Sequence, residues 1–259
     1  MLNLSLEDRT YVVMGVANKR SIAWGIARSL ASAGARLVFT YAGERLEKNV
    51  KDLAETLERK DHLVLPCDIT NDEEIKTAFE KIHAEVGPIH GIAHCIAFAN
   101  TDELKGEYLN TTRDGFLLAH NISSYSLTAV VKEARQYMTE GGSIVTMTYL
   151  GGERVVQNYN VMGVAKAALD ASVKYLANDV GKDGIRVNAI SAGPIRTLAA
   201  KGIGDFNSIL KEIEEKSPLR RTTTPEEVGD TALFLMSDLS RGITGEIIHV
   251  DSGYNILGN

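Results

Sequence analysis

The sequence predicts an α/β fold: one doubly wound domain whose parallel seven-stranded sheet carries helices on both faces. Three observations predict it. Short apolar runs alternate with longer helix-periodic segments along the whole chain. The runs are continuously apolar rather than alternating, as strands buried on both faces are. No Pro/Gly/Ser-rich linker, low-complexity tract or repeat divides the 259 residues, so a single unit over 1–259 is expected.

The elements follow in order. Thr10 to Met14 is the first strand, and Ser21 to Ala33 a helix with Ile22, Ile26 and Leu30 on one face. Arg36 to Tyr41 is the second strand, followed by a charged helix from Glu44 to about Arg59. His62 to Cys67 is the third, and Asn71 to Val86 a helix carrying Ile75, Phe79 and Ile82. Ile89 to Ile96 is the fourth, and one long helix is expected from Gly115 to about Met138. Ser143 to Thr148 is the fifth, with a helix from Tyr159 to Leu176 behind it; Ile185 to Ser191 and Glu246 to Val250 complete the set. Thr224-Pro225-Glu226-Glu227 reads as a capping box with proline at the first helical position. Two irregular stretches, Phe98 to Asp114 and Gly193 to about Asn207, follow strands and are candidates to line a site.

Composition narrows the function classes. Apolar content of 44% and charged content of 24% suit a soluble globular chain, and no apolar stretch reaches the length of a membrane span. A net charge of −6 argues against nucleic acid as a bulk partner. Cys67 and Cys95 lie in apolar runs and read as buried, reduced thiols. The first residues show no signal-peptide pattern, so a cytoplasmic protein is expected.

After the first strand comes Gly15-Val-Ala-Asn-Lys-Arg-Ser21-Ile22-Ala23-Trp-Gly25, which is not Gly-x-Gly-x-x-Gly. It can still do the same work. Gly15 lets the chain turn at the strand end, Ser21 can cap the helix, and that helix's N-terminus attracts pyrophosphate. Gly25 permits close helix–sheet packing. The position, after the first strand of a doubly wound chain, is where a Rossmann-like fold holds a dinucleotide. Asp68 and Ile69, at the end of the third strand, could meet an adenine edge, although Asp68 also suits a turn or helix cap. Ile96-Ala97-Phe98-Ala99 is small and apolar, as a nicotinamide neighbour should be.

Tyr159 and Lys166 are seven residues apart, with Tyr149 ten residues upstream. Seven helical steps of about 100° bring phenol and ammonium to one side. A lysine lowers a neighbouring phenol's pKa by its charge and can hold a cofactor hydroxyl, while the phenol can donate to a carbonyl oxygen gaining charge. The same pair would also suit a solvated helix face. His90 and His94 are four apart but fall in a strand without a third ligand, so no metal site is expected.

With these residues assembled, the chain resembles the short-chain dehydrogenase/reductase superfamily, and within it the NADH-type enoyl-(acyl-carrier-protein) reductases of bacterial fatty-acid synthesis. The resemblance runs nearly end to end. It rests on Gly15 to Gly25, Ile96 to Ala99, the Tyr149–Tyr159–Lys166 set, Ser191-Ala-Gly-Pro-Ile-Arg-Thr197 and the C-terminal Ile243-Thr-Gly-Glu … His-Val-Asp-Ser-Gly253. No tyrosine here has a lysine four residues later, the spacing ordinary members use; Tyr159-x6-Lys166 is that of the enoyl reductase branch.

The resemblance implies hydride addition to the β-carbon of a trans-2-enoyl thioester, with Tyr159 bonded to the thioester oxygen and Lys166 on the nicotinamide ribose. Tyr149 would shape the acyl site or assist protonation. Ile195, Arg196, Thr197, Leu198 and Ala199 would contact the cofactor, although some relatives carry serine where Ala199 stands. Met162, Phe206 and Ile209, with Ala97 to Ala99, would meet substrate, under a lid at about 193–215 hinged at Gly202 and Gly204. NADPH-preferring relatives carry basic residues where Ala42 and Gly43 stand, which favours NADH here; Arg45 and Lys48 keep NADPH possible. The resemblance also implies an acyl-carrier-protein partner, for which Lys201, Arg220 and Arg221 are candidate docking charges, and a homotetramer. Reduction of a ketone or an enoyl-CoA, and a nucleotide-binding regulator without turnover, are the competing readings. The missing Tyr-x-x-x-Lys weighs against the ketone, and the retained tyrosine–tyrosine–lysine set against the regulator.

Overall fold

A computed structural model describes residues 5–197, 204 and 206–258. Seven strands form one sheet: β1 (Thr10–Met14), β2 (Arg36–Tyr41), β3 (Leu63–Pro66), β4 (Gly91–His94), β5 (Gly142–Thr148), β6 (Ile185–Ala192) and β7 (Ile247–Val250). Their order is β3-β2-β1-β4-β5-β6-β7 and every pairing is parallel. The order reverses between β1 and β4, so a crevice opens beyond their carboxyl ends.

Alternation along β1 divides two apolar layers. Val12 and Met14 face a core shared with α3 (Asp72–Val86), α5 (Ser126–Ala134) and α6 (Asn160–Val180). Tyr11 and Val13 face the other, with α1 (Ile22–Ser32), α2 (Glu44–Ala54) and α8 (Pro225–Met236). The capping box at the start of α8 is present in full: Thr224 Oγ1 accepts from Glu227 N while the Glu227 carboxylate accepts from Thr224 N. Such a cap stabilises by about 1 kcal/mol.

Gly25 serves a different contact from the helix–sheet one expected. A Cβ there would strike the Pro225 carbonyl of α8, and one at Gly229 would in turn strike the Gly25 carbonyl. The two glycines therefore set how closely α1 and α8 approach.

Some boundaries move. α2 stops at Ala54, short of Arg59, and β3 and β4 are shorter than the apolar runs that contain them. The helix expected over 115–138 is α4 (Arg113–His120) joined to α5 by a π-helical turn at Asn121–Tyr125. Serine hydroxyls explain the interruption. Ser126 Oγ donates to Ile122 O at 2.7 Å, and Ser123 Oγ exchanges bonds with the Phe98 backbone, accepting from its N–H and donating to its carbonyl. The π turn is thereby tied to the loop after β4. That loop, irregular by sequence, contains two 3₁₀ turns, Thr101–Leu104 and Tyr108–Asn110. In the second irregular stretch, α7 (Phe206–Lys216) already begins at Phe206.

Candidate active site

A cavity of about 480 Å³ opens at the carboxyl ends of β1, β4, β5 and β6. The strand ends explain its composition. Gly15, just past β1, has φ +95, and a Cβ there would collide with the Cys95 carbonyl just past β4. Only glycine lets the two strand ends lie so close while leaving backbone open to the crevice. Ser21 and Ile22 line the same end from the start of α1. Contrary to expectation, Ser21 does not cap the helix by its side chain. Its hydroxyl turns back and accepts from Ala17 N and Asn18 N, both at 3.1 Å, which fixes the loop instead.

Ile96, Ala97, Phe98 and Ala99 line the middle, and Ile195 and Thr197, after β6, close the far side. Tyr149, Tyr159, Met162 and Lys166 form the floor, with Phe206 and Ile209 above. Fifteen of the residues singled out by sequence thus meet around one cavity. Four others within the described residues do not line it; of these Ala42 is exposed at the end of β2, and Asp68 and Ile69 follow β3. Asp68 is used locally, its Oδ1 accepting from Thr70 N and Thr70 Oγ1, the turn-cap alternative. Arg196 also stands outside, exposed, with Nη1 donating to Asn207 Oδ1 at 2.6 Å. Leu198, Ala199, Lys201 and Gly202 lie outside the described residues. The sequence reading missed Cys95, Leu104, Met147, Thr148 and Val156, all on the cavity wall. Cys95 and Thr148 stand next to residues that were singled out, and Leu104 lies in the 98–114 stretch expected to line a site; Val156 carries no signal beyond being apolar.

Tyr159 sits at the N-cap of α6 rather than inside it, and its ring meets that of Tyr149 edge-on, centroids 4.9 Å apart and planes at 73°. A Cβ at Gly151 would enter the Tyr159 ring, so this glycine gives the phenol its place. Lys166, on α6, is buried and donates from Nζ to the Met147 carbonyl at 2.7 Å.

The expectation that Lys166 acidifies Tyr159 is not met. Burial, then the neighbouring Tyr149 and Asp170, push the Tyr159 phenol far above its usual range, and Tyr149 is pushed up to about 12, again chiefly by burial. Both are therefore neutral donors at physiological pH, which suits donation of a hydrogen bond to an oxyanion. Burial pulls Lys166 down to about 8, partly opposed by Asp170 and Cys95. The Cys95 thiol is pushed up to about 12 by burial and is no nucleophile.

His94 is a core residue: Nδ1 pairs with Thr146 Oγ1 at 3.0 Å and Nε2 with Ser126 Oγ at 2.9 Å. A larger cavity, about 620 Å³, opens at the amino ends of the strands beside Arg9, His90, Glu140 and Arg186. It holds none of the candidate catalytic, cofactor or substrate residues and lies at the wrong end of a parallel sheet for a ligand crevice.

The geometry has close counterparts. Residues 15–255 match the family model described as enoyl-(acyl carrier protein) reductase. The enoyl-(acyl-carrier-protein) reductase (NADH) of Bacillus subtilis strain 168 is 78% identical over 255 residues, covering 98% of this chain and 99% of that protein. The enoyl-(acyl-carrier-protein) reductase (NADPH) of Staphylococcus aureus strain MRSA252 is 60% identical over 254 residues, with coverages of 98% and 99%. A crystal structure of the Bacillus cereus enoyl-acyl carrier protein reductase, solved with NADP+ and indole naphthyridinone, superposes with a TM-score of 0.97 at 74% identity, covering all of both chains. The fold, the cavity and these likenesses agree, and the chain belongs to the enoyl-(acyl-carrier-protein) reductase family.

Proposed function

We propose that this chain reduces trans-2-enoyl-acyl-carrier-protein thioesters to saturated acyl thioesters with NADH, the final reduction of a fatty-acid elongation cycle. The observation that carries the reading is the joint placement of Tyr149, Tyr159 and Lys166 on the floor of the cavity whose other end is formed by Gly15 and α1.

The residues present fit a dinucleotide. Gly15 leaves space that a Cβ would fill, the first-turn amides of α1 face a site for pyrophosphate, and Lys166 has N–H groups beyond the one used by Met147. Bound there, the dinucleotide supplies the hydride. Lys166 orients the ribose through those N–H groups and brings a positive charge to the floor. Tyr159 donates to the thioester oxygen as charge gathers on it, and its high pKa keeps the proton shared rather than lost. Tyr149, edge-on to Tyr159, restricts where the acyl chain lies. Phe206 and Ile209 of α7 give the lid, placed at about 193–215 of a single domain, an apolar underside that excludes water from the thioester.

NADH is favoured because Ala42 and Gly43, at the end of β2, place no cation where a 2′-phosphate would lie. Among the described residues no helix is long and apolar enough to cross a membrane, in keeping with a cytoplasmic enzyme. Arg220 and Arg221 are candidate carrier-protein contacts, although Arg221 is already paired with Glu227. A homotetramer belongs to the same proposal, supported by the exposed Tyr125, Val164 and Tyr175 on and beside α5 and α6.

The test mixes the purified chain with a crotonyl-carrier-protein thioester and follows loss of NADH and then NADPH absorbance. Thioester-dependent oxidation, faster with NADH, is expected. Tight NADH binding without oxidation would replace the reading with that of a nucleotide-binding regulator.

A further inference from the structure

Behind the cavity floor, one element remains unexplained by the proposed reaction. Asp170 stands one helical turn beyond Lys166 on α6 and is only 7% exposed. Its Oδ1 and the hydroxyl of Thr148, at the end of β5, are both buried, and neither has a hydrogen-bond partner among the described residues. A buried carboxylate oxygen without a partner is costly unless something compensates it. Backbone presses on it from the other side: a Cβ at Gly152 would come within 2.8 Å of Asp170 Oδ2, so no side chain can stand between that turn and the carboxylate.

We propose that Asp170 is a positioning residue whose buried carboxylate, set one turn beyond Lys166 and backed by Thr148, keeps that lysine in its ammonium form. The need is plain. Lys166 is 5% exposed and makes its protein hydrogen bond to a neutral carbonyl, Met147 O, so nothing in its direct contacts offsets its charge. Burial works against the ammonium, and Asp170 is the foremost group working for it.

The surrounding groups are consistent with this assignment. Facing Lys166 from β4 and its end are His94, held neutral by burial, and Cys95, held as a thiol by burial. Facing Asp170 are Tyr159, a neutral phenol, Lys174 further along α6, and Glu153 from the turn after β5. Glu153 already has a partner in His249, at 2.8 Å. Burial raises the Asp170 carboxyl, while the Thr148 hydroxyl and Lys166 act to keep it ionised. The Thr148 hydroxyl is near enough to act on that charge. Carboxylate and ammonium therefore support each other's charged form.

The inference rests on the proposed reductase reading for its purpose but not for its test. The test is a proton titration of Lys166 in the cofactor-free full chain, by NMR of lysine labelled with carbon-13 at Cε, the signal assigned by its loss in Lys166→Arg. Asp170→Asn is expected to lower the midpoint by roughly one unit or more, the effect of removing an opposite charge at such range. Asp170→Glu should restore it. Thr148→Val should lower it by a smaller step, and decides the matter if Asp170→Asn does not fold. The basic limb of NADH affinity against pH should move with the midpoint. An unchanged Lys166 midpoint in the folded variants overturns the inference. If the unmodified chain oxidises NADH with the thioester while the midpoint stays fixed, the reductase reading stands and only this inference falls.

Discussion

Lys166 Nζ donates to the Met147 carbonyl at 2.7 Å, tying α6 to the end of β5 beneath the cavity. The ammonium does not acidify Tyr159, whose phenol burial holds neutral. In the proposed reaction lysine and tyrosine act on different partners, and their replacements should separate.

Tyr159→Phe removes the donor to the thioester oxygen and little else. It should lower kcat by roughly 10²-fold or more, the scale of losing one oxyanion donor, with NADH affinity nearly unchanged. Stopped-flow turnover beside NADH fluorescence titration checks both halves. An unaltered kcat would remove Tyr159 from the reaction.

Lys166→Ala should weaken NADH binding and turnover together. It also strands the buried Met147 carbonyl, a loss of about 1–3 kcal/mol of stability. Denaturant unfolding measures that part, and normal NADH affinity in the variant would contradict the ribose role.

Gly15→Ala meets two obstacles, a φ of +95 and the Cys95 carbonyl in the path of its methyl group. Cofactor affinity should fall by about tenfold or more as the β1 end shifts. Gly25→Ala instead separates α1 from α8 and should lower thermal stability more than it lowers NADH affinity. Melting curves with and without NADH distinguish the two.

His94 makes stability fall with acid. Burial lowers its folded-state pKa from the usual 6.5 to about 3. The unfolded chain therefore takes up a proton that the native core refuses, and the contribution is present above the unfolded value and lost as pH falls from there towards the folded one. The slope should approach about 1.4 kcal/mol per pH unit in that window. His94→Gln, which does not titrate, should flatten it in urea unfolding series; an identical slope would place the acid sensitivity elsewhere.

Ala42→Arg should raise the NADPH-to-NADH ratio of kcat/KM by about tenfold, by supplying a partner for a 2′-phosphate at the end of β2. Steady-state rates with both cofactors test it. An unmoved ratio would mean the 2′ position is read from Arg45 or Lys48.

The parallel sheet and the cavity were legible because both come from periodicity and from what strand ends must do. Apolar runs separated by helical spacing leave few arrangements, and Gly15 marks a close approach through its own chemistry. The π turn at Asn121–Tyr125 was not legible, since it depends on Ser126 reaching Ile122 and Ser123 reaching a loop distant in sequence. Gly25 was legible as a close contact but not as a contact with α8, whose Gly229 lies two hundred residues away in round terms. Ser21 shows the same limit: a serine before a helix can cap the helix or the loop, and the loop's own turn decides. Asp68 likewise follows local hydrogen bonds rather than the cavity. The charge state of Tyr159 needed burial, a tertiary quantity that spacing along α6 does not contain.

In the proposed reaction, hydride reaches the β-carbon of an enoyl thioester held over Tyr159. NADH deuterated on its transferring face, reacted with the crotonyl thioester and this chain, should give butyryl thioester with deuterium at the β-carbon and solvent hydrogen at the α-carbon. A product without deuterium at the β-carbon, or a substrate recovered unchanged beside oxidised cofactor, would contradict it.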